Sequence, residues 1–209
     1  MEATNLEIWD RHYRKPQSHQ AYPDENLIRL IRSLPPWPKD ADKRRLLDYG
    51  CGSGRNIPLF LDSNLDVTGV DTSANAVTLC RERYPHARFL HSEDGAMPSA
   101  LGSESFDIIV CWGVLHYLEP SQAMALLSRF AERLEEGGLL LGTLRKHTDT
   151  HFAGSEVSGS SIQLFDLEQM QSLLQRNFCD LDYGSIERIP LGDHRVVAHW
   201  FFRARKRSS

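Results

Sequence analysis

Short apolar runs alternate along this chain with stretches whose apolar residues recur at helical spacing. Residues 45–49 read as a strand and 56–61 as the helix after it. Residues 66–71 form the next strand, followed by a helix near 74–84 and a short strand at 88–91. Phe106-Asp107-Ile108-Ile109-Val110-Cys111-Trp112 is almost continuously apolar, as in a strand buried on both faces. Residues 121–134 carry an amphipathic helical pattern stopped by Glu135-Glu136-Gly137-Gly138, and 139–144 is a fifth strand. Ahead of these, 24–34 has helical spacing, opened by Pro23-Asp24 and closed by Pro35-Pro36. This alternation predicts an α/β fold, a largely parallel sheet with helices on both faces.

Beyond residue 144 the alternation breaks. Residues 145–163 are polar and rich in serine and glycine, and a loop of that length in a compact domain is usually functional or disordered. A capped helix is expected over 165–174, then two strands joined by the turn Leu191-Gly192-Asp193. The tail from Lys206 reads as a solvated end.

Length and composition narrow the class. With 209 residues, 41% hydrophobic and 25% charged, one globular domain with an adequate core is expected. A formal net charge of −4 gives no general attraction to nucleic acid or to an anionic membrane. The four cysteines (Cys51, Cys80, Cys111, Cys179) are scattered, which suits a reducing cytoplasm and neither a metal site nor a disulfide scaffold. The first residues lack the apolar centre of a signal peptide, and no apolar run approaches the roughly 20 residues of a membrane span. His147 and His151 have an i, i+4 spacing, but Thr148-Asp149-Thr150 between them favours a loop, so no metal site is expected.

The chemistry concentrates in Leu46-Leu47-Asp48-Tyr49-Gly50-Cys51-Gly52-Ser53-Gly54-Arg55-Asn56 and in Asp71 at the end of the next strand. A strand that ends in a glycine turn opening into a helix, followed by a strand ending in a carboxylate, is the layout of a nucleoside-binding βαβ unit. Glycines permit the sharp turn and a close approach of backbone to a ligand. A carboxylate at Asp71 can accept from both hydroxyls of a ribose. A dinucleotide fingerprint started at Gly50 would need its last glycine at position 55, where Arg55 stands.

The Gly50-x-Gly52-x-Gly54 pattern after Leu46-Leu47-Asp48 resembles the first motif of the class I S-adenosylmethionine (AdoMet) dependent methyltransferases, of the small-molecule type. Residues 89–98, the run 105–117 and Glu136-Gly137-Gly138-Leu139-Leu140 resemble later motifs of the same family in the same order. The resemblance implies a doubly wound Rossmann-like sandwich with a seven-stranded, mostly parallel sheet of order 3-2-1-4-5-7-6 and an antiparallel last strand. It implies a single domain over 1–209: a cap region at 1–40, an AdoMet-binding half at 41–144, and an acceptor lid with C-terminal strands at 145–209.

AdoMet is the implied cofactor. The residues expected around it are Asp48, Gly50, Gly52, Gly54, Asn56, Asp71, Thr72, Glu93, Asp94 and Cys111, with Glu93 at the usual adenine-binding acidic position. Trp9, Tyr13, Tyr22, Trp112, His116, Tyr117 and His151 are the candidates for the acceptor side. Trp9, Tyr13 and Tyr22 are equally readable as apolar anchors of the N-terminal segment. Methyl transfer from a sulfonium requires positioning more than acid–base help. If a proton must leave the acceptor, His116 beyond the fourth strand is the candidate base, the alternative being that it merely walls the pocket. The Asn-Pro-Pro-Tyr type motif expected for methylation of base nitrogens is replaced by Cys111-Trp112-Gly113-Val114. A small-molecule acceptor is therefore expected, with no nucleic acid and no membrane partner. A protein or RNA acceptor, a non-catalytic methyltransferase-like subunit and an NAD-dependent dehydrogenase remain the competing readings.

Overall fold

In the computed structural model, residues 5–38, 41–151 and 162–207 are described. Chain order is α1 (Asn5–Tyr13), α2 (Glu25–Arg32), β1 (Arg45–Tyr49), α3 (Ile57–Asp62), β2 (Asp66–Asp71), α4 (Ala74–Arg83), β3 (Arg88–His91) and β4 (Phe106–Cys111). It continues with α5 (Pro120–Arg133), β5 (Leu134–Arg145), α6 (Leu167–Leu174), β6 (Phe178–Arg188) and β7 (Val197–Lys206). The strands form one sheet of order β3-β2-β1-β4-β5-β7-β6. Strands β1 to β5 pair in parallel, and β7 runs antiparallel to both β5 and β6. Among the described residues no helix is long and apolar enough to cross a membrane.

Strand alternation divides the core into two layers. Leu46, Ile108, Val110 and Leu141 point to one face, where Leu27 and Ile31 of α2, Ile57 and Phe60 of α3 and Val77 of α4 cover them. Leu47, Ile109, Cys111 and Leu140 point to the other, under Leu126, Leu127 and Phe130 of α5 and Met170 and Leu174 of α6. Each such Leu, Ile or Phe contributes about 1.5–3 kcal/mol on burial. Side chains fix the helix starts. Ser73 accepts from the Ala76 N–H at 3.2 Å at the head of α4, and Asp166 accepts from the Gln169 N–H at 2.8 Å at the head of α6.

Two elements depart from the sequence expectation: α1, which it did not include, and β5. Helix α5 stops at Arg133 and β5 begins at once at Leu134, five residues before the expected start. The β4–β5 register jumps from Phe106↔Leu134 to Ile108↔Leu139, so the Glu135–Gly138 segment bulges, with Gly137 at φ +72°. Arg45 donates to Glu135 at 2.7 Å across this bulge.

The chain order reverses between β1 and β4, which lie side by side with β2 and β3 on one flank and β5 on the other. In doubly wound sheets this reversal opens a crevice at the carboxyl ends of the strands, where ligands bind.

Candidate active site

The crevice is built on the glycine turn after β1. The Gly50 and Cys51 N–H groups donate to the Val70 carbonyl at 2.7 and 3.0 Å, which ties the turn to β2. Gly50 and Gly52 have φ of +80° and +53°; a Cβ at Gly50 would run into Val114, and one at Gly52 into the Tyr13 hydroxyl. Asp71 fixes the turn from the next strand, accepting from Gly52 N–H at 2.7 Å and Ser73 N–H at 2.8 Å. Burial pushes the Asp71 carboxyl up, and these backbone donors pull it back. Each of its oxygens still has room for a second donor. Asp48 lies 1% exposed behind the turn, pushed up to about 7 by burial and by the charge of Asp71, with Arg55 opposing. Asp48 Oδ2 and Asn56 Oδ1 are buried acceptors with no hydrogen-bond partner among the described residues.

Helix α1 lies across the crevice. Asp10 accepts from Ser73 Oγ at 2.9 Å and Asn75 Nδ2 at 2.8 Å, and the Trp9 ring meets that of Tyr117 edge-on at 4.9 Å. Arg55 hydrogen-bonds Gln20 and stands 3.9 Å from Asp24, holding down the segment that follows α1. Two cavities result. The larger, about 790 Å³, is lined by Asp71, Thr72, Asp94, Gly95, Met97 and Val114 among others. The smaller, about 420 Å³, is lined by Gly52, Asn56, His116, Arg145, His151 and His199 among others. Trp9, Tyr13, Gly50, Trp112, Gly113 and Tyr117 line both.

The far wall of the smaller cavity is set by the last strands. Arg145 closes β5 only 6% exposed, donates to Asp149 at 2.6 Å and hydrogen-bonds the Tyr117 hydroxyl. Asp149 also accepts from the Ala198 N–H at 2.7 Å and the His151 N–H at 3.1 Å, so 147–151 is a turn pinned to β7. His116 is 1% exposed, and burial and the Arg145 charge hold its pKa well below the ordinary histidine value. His199 stands 6.3 Å away, ring to ring, and is pushed down to about 4 by burial and Arg145. Both imidazoles are neutral at pH 7. His116 thus lines the cavity as a weak base, poorly suited to keep a proton taken from an acceptor.

Most of the residues expected from sequence come together here: Gly50, Gly52, Asn56, Asp71, Thr72, Asp94, Trp9, Tyr13, Trp112, His116, Tyr117 and His151 line the two cavities. Others do not. Tyr22 is 83% exposed and lines neither cavity, because the chain turns at Pro23 into α2 and leaves the ring in solvent. Glu93 is exposed on its turn, and it is Asp94, braced by its bond from Ala96 N–H at 2.9 Å, that reaches the larger cavity. Cys111 is fully buried in the layer under α5, Asp48 sits behind the turn, and Gly54 packs against Tyr84 and Cys80. The expected lid at 145–163 lies partly outside the described residues, at 152–161. Arg145, Arg188 and His199 were not anticipated. The one signal was Arg145, a charge closing an apolar strand.

A model of the methyltransferase domain matches residues 46–138. The dTDP-3-amino-3,4,6-trideoxy-alpha-D-glucopyranose N,N-dimethyltransferase of Streptomyces venezuelae is 27% identical over 141 residues, 67% of this chain and 56% of that one. The trans-aconitate 2-methyltransferase of Rhodopseudomonas palustris is 29% identical over 155 residues, 72% of this chain and 56% of its own. The chain therefore spans a little over half the length of these relatives. The structure of the N-methyltransferase NodS from Bradyrhizobium japonicum, in complex with S-adenosyl-L-homocysteine, superposes with a TM-score of 0.70 at 17% identity, covering 99% of this chain and 100% of that one. The glycine turn, the sheet order and these likenesses agree: residues 46–138 match a methyltransferase domain, and the fold is that of class I AdoMet-dependent methyltransferases.

Proposed function

We propose that this chain binds AdoMet across the two cavities and transfers its methyl group to a small-molecule acceptor. The observation that carries the reading is the meeting of both cavities at Gly50, with Asp71 on one side and Asn56 on the other. Asp71 presents its remaining acceptor positions to the ribose, while Asp94 and Met97 flank the adenine. The residues fit this cofactor. Asp48 and Asn56 offer buried acceptors without partners, and Asp48 and Asp71 together favour a cationic guest. When bound, the cofactor supplies a methyl carbon already activated by its sulfonium charge. Trp112, Tyr117 and Trp9 exclude water there, and alignment provides most of the acceleration.

A small acceptor is supported by the enclosure of a cavity of about 420 Å³ beneath α1, and by relatives named for an aminosugar and for trans-aconitate. The free thiols Cys51, Cys80, Cys111 and Cys179 suit a reducing cytoplasm. Calorimetric titration with AdoMet, S-adenosylhomocysteine and NAD tests the cofactor. Binding of the first two and not of NAD is expected, and the reverse overturns the reading. Screening metabolites, peptides and RNA for AdoMet consumption tests the acceptor, and turnover confined to a macromolecule overturns the small-molecule assignment.

A further inference from the structure

Three strand ends converge on the smaller cavity. Arg145 faces His199 directly in the antiparallel β5–β7 register, and Arg188 closes β6 opposite Val197, two residues before His199. Arg55 lines the same cavity from the glycine turn. Three arginines thus surround about 420 Å³, and the one carboxylate among its described lining residues is Asp24. Asp149 answers Arg145 across 2.6 Å with both side chains buried, and Asp24 stands 3.9 Å from Arg55. Arg188 is exposed, makes no ion pair among the described residues, and lies close enough to Arg55 and His199 to weaken the protonated form of each. Arg188 is thus the arginine of this wall left without a counter-ion among the described residues.

The geometry also limits the acceptor chemistry. An amine would arrive as an ammonium among guanidinium groups. A hydroxyl would have to hand its proton to His116 or His199, whose protonated forms burial and the Arg145 guanidinium disfavour. A carboxylate avoids both difficulties: it is already ionised, and an arginine binds it with two parallel N–H donors.

Resting on the AdoMet reading above, we propose that the acceptor is a small carboxylic acid, held as its carboxylate by Arg188 and methylated on a carboxylate oxygen. A lone pair of that oxygen forms the new O–CH₃ bond as the S–CH₃ bond breaks, and the breaking pair stays on sulfur. Carboxylate and sulfonium charges cancel, leaving a methyl ester and a thioether, and no proton moves. The two opposite charges are consumed together as the bond forms.

The test is calorimetry of the protein saturated with S-adenosylhomocysteine, against benzoate, succinate and citrate and against the matching amides. At least one acid is expected to bind, with at least a tenfold loss when it is replaced by its amide and a similar loss in Arg188→Gln. Incubation of that acid with methyl-labelled AdoMet is expected to give label released as methanol by mild alkali, as an ester requires. No binding by any of the acids, equal binding of acid and amide, indifference to Arg188→Gln, or an alkali-stable methylated product from any acceptor each overturns the proposal. Failure of S-adenosylhomocysteine itself to bind removes the underlying reading and this proposal together, whereas its binding alongside an alkali-stable product removes only the acid acceptor.

Discussion

The hydroxyl of Tyr13 rests directly on Gly52, at the point where a Cβ of that residue would stand. The contact joins α1 to the glycine turn, and with φ at +53° Gly52 occupies backbone space that side chains rarely tolerate. Gly52→Ala is expected to cost about 1–3 kcal/mol of stability from backbone strain and collision. Tyr13→Ala in the same chain should return the collision part. Urea unfolding of both single variants and the double variant checks this, with a coupling of at least about 0.5 kcal/mol expected.

Asp71→Ala is expected to weaken AdoMet binding by about 1.5–3 kcal/mol, the range for hydrogen bonds to a charged group. From the sequence alone the residue looks free to serve the ligand. In the structure it also satisfies the Gly52 and Ser73 N–H groups, so the variant should lose stability too, on the order of 2 kcal/mol. Calorimetry and denaturant unfolding read the two losses separately, and an unchanged unfolding midpoint would refute the pinning role.

Asp48 predicts an alkaline penalty. Its folded pKa of about 7 lies above the ordinary carboxylate value of 3.8. Its contribution to stability is full below the unfolded value and is lost as pH rises towards 7, leaving a constant cost above that. Asp48→Asn should therefore be more stable than the parent at pH 8, by on the order of 1–3 kcal/mol, with little gain at pH 4. Unfolding midpoints at the two pH values check it.

His199 works at the acid end. Its folded pKa near 4 lies below the usual 6.5, so between those values the unfolded chain binds the extra proton. Stability from this group is full above pH 6.5 and falls as pH drops towards 4. Between pH 7.5 and pH 5 the loss should be about 1–2 kcal/mol after allowance for part exposure. His199→Gln should flatten that stretch of the stability curve.

The sheet and the glycine turn pinned by Asp71 were legible because their signals are local. Residues 46–56 write a strand, a turn and a helix in consecutive positions, and Asp71 ends the next apolar run. The far wall of the smaller cavity was not. Arg145, Arg188 and His199 lie on three strands and meet only through the antiparallel register of β5, β7 and β6, which no short-range spacing encodes. Tyr22 and Glu93 line neither cavity for a related reason: residue type named them as candidates, but the turns that carry them decide which way they face. The early start of β5 was hidden because Gly137 and Gly138 look like a helix terminator and serve here inside a bulge.

Trp9 and Tyr13 are a party wall between two rooms, each forming part of the lining of both cavities. A change at either residue cannot be private to one tenant. Enlarging the smaller cavity by trimming Trp9 also alters the larger one, so a change of fit in either carries into the other. Arg188, Ile186 and Phe201 line the smaller cavity alone, so changes there leave the lining of the larger one untouched.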